Sequence, residues 1–123
     1  MTPKVLVIDD SRTIRQMVAE ALSESGYEVV EAESGADGLG KLEQHSGIAV
    51  VLCDVNMPDM DGLEMLAAVK AKERYASLPI FMLTTEGKSA VVQQAKQLGA
   101  KGWIIKPFKP EQLVALVRKI VGV

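Results

Sequence analysis

The 123-residue chain has a mass of 13.3 kDa, which is enough for one domain that buries roughly two thirds of its unfolded surface and too little for a second of ordinary size. Its net charge of −2, from 14 basic and 16 acidic residues, leaves no large positive field for holding nucleic acid or an anionic membrane. A hydrophobic fraction of 48% with only 4% aromatics (Tyr27, Tyr75, Phe81, Trp103 and Phe108) excludes disorder and predicts a core packed mainly by aliphatic side chains.

Short β-branched apolar runs alternate with longer stretches at helical spacing, the pattern of repeated βα units and therefore of an α/β domain. The first run, Lys4 to Ile8, is apolar at its centre, as expected of a parallel strand covered by helices on both faces. It leads straight from the first residues, with no secretory apolar segment between, and the single cysteine, Cys53, cannot form an internal disulfide. The expected compartment is the reducing cytoplasm, and charges interrupt every apolar run before the ~18 residues a membrane helix needs.

The first helix follows, with Ile14, Met17, Val18, Ala21 and Leu22 on one face and Arg12, Arg15, Gln16 and Glu20 on the other. Asp10 or Ser11 can cap it, and Gly26 ends it. The second strand, Glu28 to Ala32, sets Val29 and Val30 between glutamates and so belongs nearer an edge. The second helix, near Ala36 to Gln44, carries Gly38 and Gly40, each costing about 1 kcal/mol relative to alanine, and relies on packing through Leu39 and Leu42.

The third strand, Ile48 to Cys53, is again continuously apolar, and Cys53 within it is expected to be a buried small hydrophobe. The segment Met57-Pro58-Asp59-Met60-Asp61-Gly62 reads as a turn whose glycine accepts a positive φ before a third helix presenting Leu63, Leu66, Ala67 and Val69. Pro79 precedes the fourth strand, Ile80 to Leu83.

A fourth helix over about Lys88 to Leu98, buried through Val91, Ala95 and Leu98, ends at Gly99. The fifth strand is Gly102 to Ile105, and the fifth helix opens with Pro110 and Glu111 and buries Leu113, Val114, Leu116, Val117 and Ile120. The chain stops three residues later with no linker, so the reading is one domain over residues 1–123. His45 reads as a surface histidine, and Met17, Met65 and Met82 as core residues.

In an open parallel sheet, ligands bind at the carboxyl ends of the strands. There stand Asp9 and Asp10, Asp54, Thr84 and Thr85, and Lys106, after the first, third, fourth and fifth strands respectively. An Asp-Asp pair before a helix is often only a capping turn, and a lone strand-end aspartate, lysine or threonine is often structural. The signal is the coincidence of all four sites on one rim. Three gathered carboxylates repel one another strongly unless protonated or compensated by a cation, and hard oxygen ligands without histidine make Mg²⁺ or Mn²⁺, rather than zinc, the suitable ion. A lysine and a threonine hydroxyl beside them suit a phosphoryl group in transfer, with Asp54 as the covalent acceptor.

Val5-Leu-Val-Ile-Asp-Asp10, the run from Asp54 through Asn56, Met57 and Pro58 to Gly62, Leu83-Thr84-Thr85 and Lys106-Pro107-Phe108 together resemble the receiver domain of two-component response regulators. The likeness covers practically the whole chain and is greatest to the single-domain chemotaxis regulators.

It implies a flavodoxin-like, doubly wound five-stranded parallel sheet of order 2-1-3-4-5. It further implies that a sensor histidine kinase or histidine phosphotransfer protein donates phosphate to Asp54, with Mg²⁺ held by Asp10, Asp54 and the backbone carbonyl of Asn56, and with Asp9 acting through water. By the same resemblance Lys106 contacts a phosphoryl oxygen, Thr84 swings toward it, and Trp103 stands where the family commonly has the Tyr or Phe that turns inward.

The resemblance also implies that Asn56, Thr85 (often alanine in the family) and Glu86 line the approach for attacking water. Pro58 restrains the loop that holds Asn56, and Pro107 resembles the family's cis Lys-Pro bond. The implied output is a protein contact, such as a flagellar motor switch, made by a monomer through the fourth helix, fifth strand and fifth helix, without DNA. Rival readings are a phosphorylation-independent adaptor, a phosphate sink or relay, and a hydrolase with a phospho-aspartate intermediate. The main reading is a phosphorylation-dependent signalling module rather than a conventional enzyme.

Overall fold

The computed structural model describes residues 2–85 and 90–122. In chain order these form β1 (Lys4–Ile8), α1 (Arg12–Glu24), β2 (Glu28–Ala32), α2 (Gly35–Gln44), β3 (Ile48–Asp54), α3 (Gly62–Lys70), a single 3₁₀ turn (Glu73–Tyr75), β4 (Ile80–Thr84), α4 (Ala90–Gln97), β5 (Gly102–Ile105) and α5 (Pro110–Val121). The strands are all parallel and lie in the order β2-β1-β3-β4-β5. As its glutamates predict, β2 is an edge strand.

Alternation along the strands divides the core into two layers. Leu6, Ile8, Val51, Cys53, Ile80 and Met82 pack against Leu42 of α2, Met65, Leu66 and Val69 of α3, and Ala95 of α4. Val5, Val7, Val50, Leu52, Phe81 and Leu83 pack against Val18 and Leu22 of α1 and Leu113 and Val117 of α5. Because both faces are covered, the central strands must be apolar at every position, which is why they read as unbroken runs.

Several helix faces differ from the expected stripes because the sheet covers less than a full helical stripe. On α1 the buried residues are Val18, Ala19 and Leu22, while Met17, expected in the core, is 38% exposed. On α3 Met65 is buried as expected, whereas Ala67, expected on the buried face, is exposed. On α4 Val92 and Ala95 turn inward, whereas Leu98, just past the helix, is 36% exposed and Val91 is half-buried. Lys88, placed at the start of that helix by the sequence pattern, lies outside the described residues.

Local chemistry accounts for the helix ends. Ser11, not Asp10, caps α1, its Oγ accepting from the N–H of Ile14 at 3.3 Å. Gly26 follows at φ +96°, where a side chain would be strained. Asp61 caps α3 in a reciprocal box with Glu64. Gly38 sits mid-helix because a Cβ there would come within 2.5 Å of Ile8 Cδ1, so its propensity cost permits close packing of α2 on β1.

Candidate metal and phosphoryl site

The strand order reverses between β1 and β3, and the carboxyl ends of these neighbours therefore face one crevice. Asp9 and Asp10 follow β1, Asp54 is the last residue of β3, and Thr84 is the last residue of β4. Asp54 and Thr84 thus remain within their ladders rather than following them, which fixes their backbones; each is 2% exposed.

Carboxylate oxygens of Asp9, Asp10 and Asp54 lie within 4.8 Å of one another. Asp9 is fully buried, and Asp10 faces solvent. Lys106, just after β5, reaches into the group: its Nζ lies 3.0 Å from Asp54 Oδ1 and 3.4 Å from Asp9 Oδ2. The Lys106–Pro107 peptide bond is cis, as in the resemblance.

Asp9 is held rigidly. Its Oδ1 accepts from the N–H of Ser11 at 2.8 Å, and its main-chain carbonyl accepts from Arg15 Nη1 at 2.7 Å. Arg15 also pairs with Glu31 at 3.2 Å. Its side chain is only 14% exposed, so the expectation that this whole polar face of α1 points to water is corrected at Arg15. The overlooked signal was the position of Arg15 one helical turn after the cap, which aims a long side chain back over the strand end.

Burial pushes the Asp54 carboxyl up and the charge of Asp9 adds to this; the hydrogen bond and charge of Lys106 and the N–H of Asn56 pull it back, leaving it at about 6. The Asn56 N–H donates to Asp54 Oδ1 at 3.3 Å. Burial also opposes the Lys106 ammonium, but its hydrogen bond to Asp54 and the charges of Asp54 and Asp9 outweigh this and raise it. Burial, followed by the charge of Asp54, pushes the Cys53 thiol well above its ordinary range, and its sulfur faces the Asp54 carbonyl oxygen at 3.4 Å. Cys53 is a buried apolar residue and contributes no soft ligand.

The site fits a hard divalent cation. Three carboxylates against one ammonium leave two excess negative charges, and the available donors are oxygens. Asn56 and Thr85 are exposed beside this rim, and Pro58 is exposed in the following loop. Glu86 lies outside the described residues.

The turn before α3 corrects one expectation. The positive φ falls at Asp59, at +66°, and Gly62 is not among the residues of positive φ. Gly62 serves close approach instead, since a Cβ there would lie 2.3 Å from the Asp54 carbonyl oxygen and 2.8 Å from Val55 Cα. Its N–H donates to the Val55 carbonyl at 2.9 Å, pinning the start of α3 beneath the acceptor strand.

Trp103 is half-buried on β5, its ring 5.8 Å from Lys96 Nζ. His45 caps the end of α2 through its backbone and is half-buried beside a cavity of about 550 Å³ at the opposite edge of the sheet. Among the described residues no helix is long and apolar enough to cross a membrane.

Residues 5–118 match the family described as the response regulator receiver domain. The chain is 41% identical to the chemotaxis protein CheY1 of Helicobacter pylori over 97% of both chains. It is 38% identical to the chemotaxis protein CheY homolog of Campylobacter jejuni, covering 97% of this chain and 92% of that one. A solved structure of CheY4, a chemotaxis response regulator of Vibrio cholerae, superposes with a TM-score of 0.90 at 43% identity, covering 98% of this chain and 99% of that one. Receivers of this kind bind Mg²⁺ through an acidic pocket and signal by phosphorylation. The chain belongs to the response regulator receiver domain family and is of the CheY type.

Proposed function

We propose that this protein is a phosphorylation-dependent signalling switch that accepts a phosphoryl group on Asp54 from a sensor histidine kinase or histidine phosphotransfer protein. The observation that carries the reading is a buried carboxylate at the end of the central strand, 3.0 Å from an ammonium and clustered with two further carboxylates. A carboxylate oxygen of Asp54 attacks phosphorus; the O–P bond forms as the N–P bond of phosphohistidine breaks, and the imidazole leaves with that electron pair and takes a proton. Lys106 stabilises charge on the transferring oxygens.

Mg²⁺, or Mn²⁺ in its place, would be held by Asp10, Asp54 and the Asn56 carbonyl with Asp9 through water, and supplies positive charge against the phosphoryl oxygens. Asn56, Thr85 and Glu86 govern access of the water that hydrolyses the acyl phosphate. The Thr84 hydroxyl and the Trp103 indole are the switch pair that carries the change to α4, β5 and α5. There Ile105 is 48% exposed and borders a shallow apolar depression with Trp103 and Leu116. This face would meet the output protein, a flagellar motor switch being the proposed partner, with the protein acting as a cytoplasmic monomer and a single domain over residues 1–123.

Incubation with labelled acetyl phosphate or phosphorylated kinase tests the assignment. Wild type is expected to take one base- and hydroxylamine-labile label that D54A lacks. Undiminished single-site labelling of D54A would reject the acceptor.

A further inference from the structure

Trp103 is the only tryptophan in the chain. It packs at the margin of the core layer shared with α2, α3 and α4, and Lys96 of α4 covers its ring at 5.8 Å. By burial α4 is lightly held: its eight residues bury Val92 and Ala95, whereas the nine of α3 bury Gly62, Met65, Leu66 and Val69. The ammonium–indole contact is one contact that joins α4 to β5. The strand register sets Met82 opposite Trp103 and Thr84 opposite Ile105. With a period of two, Thr84 and Trp103 lie on the same side of the sheet, the side α4 covers.

We propose that Lys96 is a positioning residue that latches α4 to β5 through the indole of Trp103 and so holds the unphosphorylated output surface in place; this rests on the reading of Thr84 and Trp103 as the switch pair. A Thr84 hydroxyl turning toward a phosphoryl oxygen vacates volume on the α4 side of the sheet. An indole moving into that volume leaves the Lys96 ammonium, so the contact is made in one state and lost in the other. A contact with such a difference biases the equilibrium by its own free energy. Among the described residues Lys96 lies outside the acidic cluster and the ion pairs of Lys106.

The test uses the full chain as wild type, K96M and K96R, with Trp103 as intrinsic reporter. In the unphosphorylated protein, K96M is expected to show greater acrylamide quenching and lower anisotropy of Trp103 than wild type. In Mg²⁺, titration with beryllofluoride, a phosphoryl mimic, is expected to reach its fluorescence midpoint at about two- to fivefold lower concentration in K96M, with K96R restoring the wild-type value. A purely structural lysine would lower the urea midpoint and leave the beryllofluoride midpoint unchanged, and that result overturns the latch. If wild type labels on Asp54 and responds to beryllofluoride while K96M matches it, the latch alone falls. If wild type neither labels nor responds, the switch reading falls and the latch with it.

Discussion

Asp54 bears the conflict on which the site depends. It is a carboxylate kept 2% exposed beside a second, fully buried one, with a single ammonium to offset them. Burial and Asp9 raise its pKa to about 6, above the ordinary carboxylate value of 3.8. A group whose folded pKa is raised binds more protons in the native state, so without metal its contribution to stability is greatest below about 4 and is lost as pH rises through about 6. Urea midpoints measured in EDTA between these limits are expected to fall with rising pH in wild type, and the D54N variant should show a flatter profile. Asp9, Asp10 and Lys106 are the charged groups facing this carboxyl, and Lys106 stays protonated across the range.

At the scale of elements, α3 ties local helix chemistry to the acceptor strand. Asp61 accepts from the N–H of Glu64 at 2.8 Å while Glu64 returns a bond to the Asp61 N–H at 3.2 Å. D61A is expected to cost about 1 kcal/mol of stability in chemical denaturation. It should leave labelling of Asp54 largely intact, because Asp61 stands outside the cluster of Asp9, Asp10 and Asp54.

Gly62 is the opposite case. Its Cβ would press on the Asp54 carbonyl itself, so G62A is expected to cost about 1–3 kcal/mol and to weaken Mg²⁺ binding as well. Calorimetric titration with Mg²⁺ checks this; unchanged affinity in G62A would show that the acceptor strand tolerates the shift.

For the whole molecule, the sheet order makes the site. Because β2 lies on one side of β1 and β3 on the other, the loop after β1 opens away from that after β3, and the two excess negative charges meet there. A cation that binds only this native arrangement stabilises it by mass action. Saturating Mg²⁺ is expected to raise the urea midpoint of wild type at neutral pH and to do so far less in D10N, as followed by circular dichroism. Equal shifts in the two proteins would place the stabilising ion elsewhere.

The fold was legible residue by residue because burial on both faces leaves a direct record in composition: Val5, Val7, Val50, Leu52 and Leu83 serve one layer, and Leu6, Ile8, Val51, Cys53 and Met82 the other. The candidate acidic residues and Lys106 were legible because charged groups ending apolar strands are conspicuous. Which side of α1 and α4 faced the sheet was not. A helical stripe specifies a direction only to within a residue or so, and contact with the sheet chose Ala19 over Met17 and Val92 over Val91.

The chain's own pattern of apolar runs and strand-end charges determined the order of elements, the two-layered core and the set of residues able to form a site. Tertiary structure alone decided that Arg15 would turn inward to hold the Asp9 carbonyl, that Gly62 would be required by the closeness of the Asp54 carbonyl rather than by its φ, and that Lys96 would lie over Trp103. Each of these depends on distances between segments far apart in the chain. Periodicity constrains the face an element presents, whereas packing sets what that face meets.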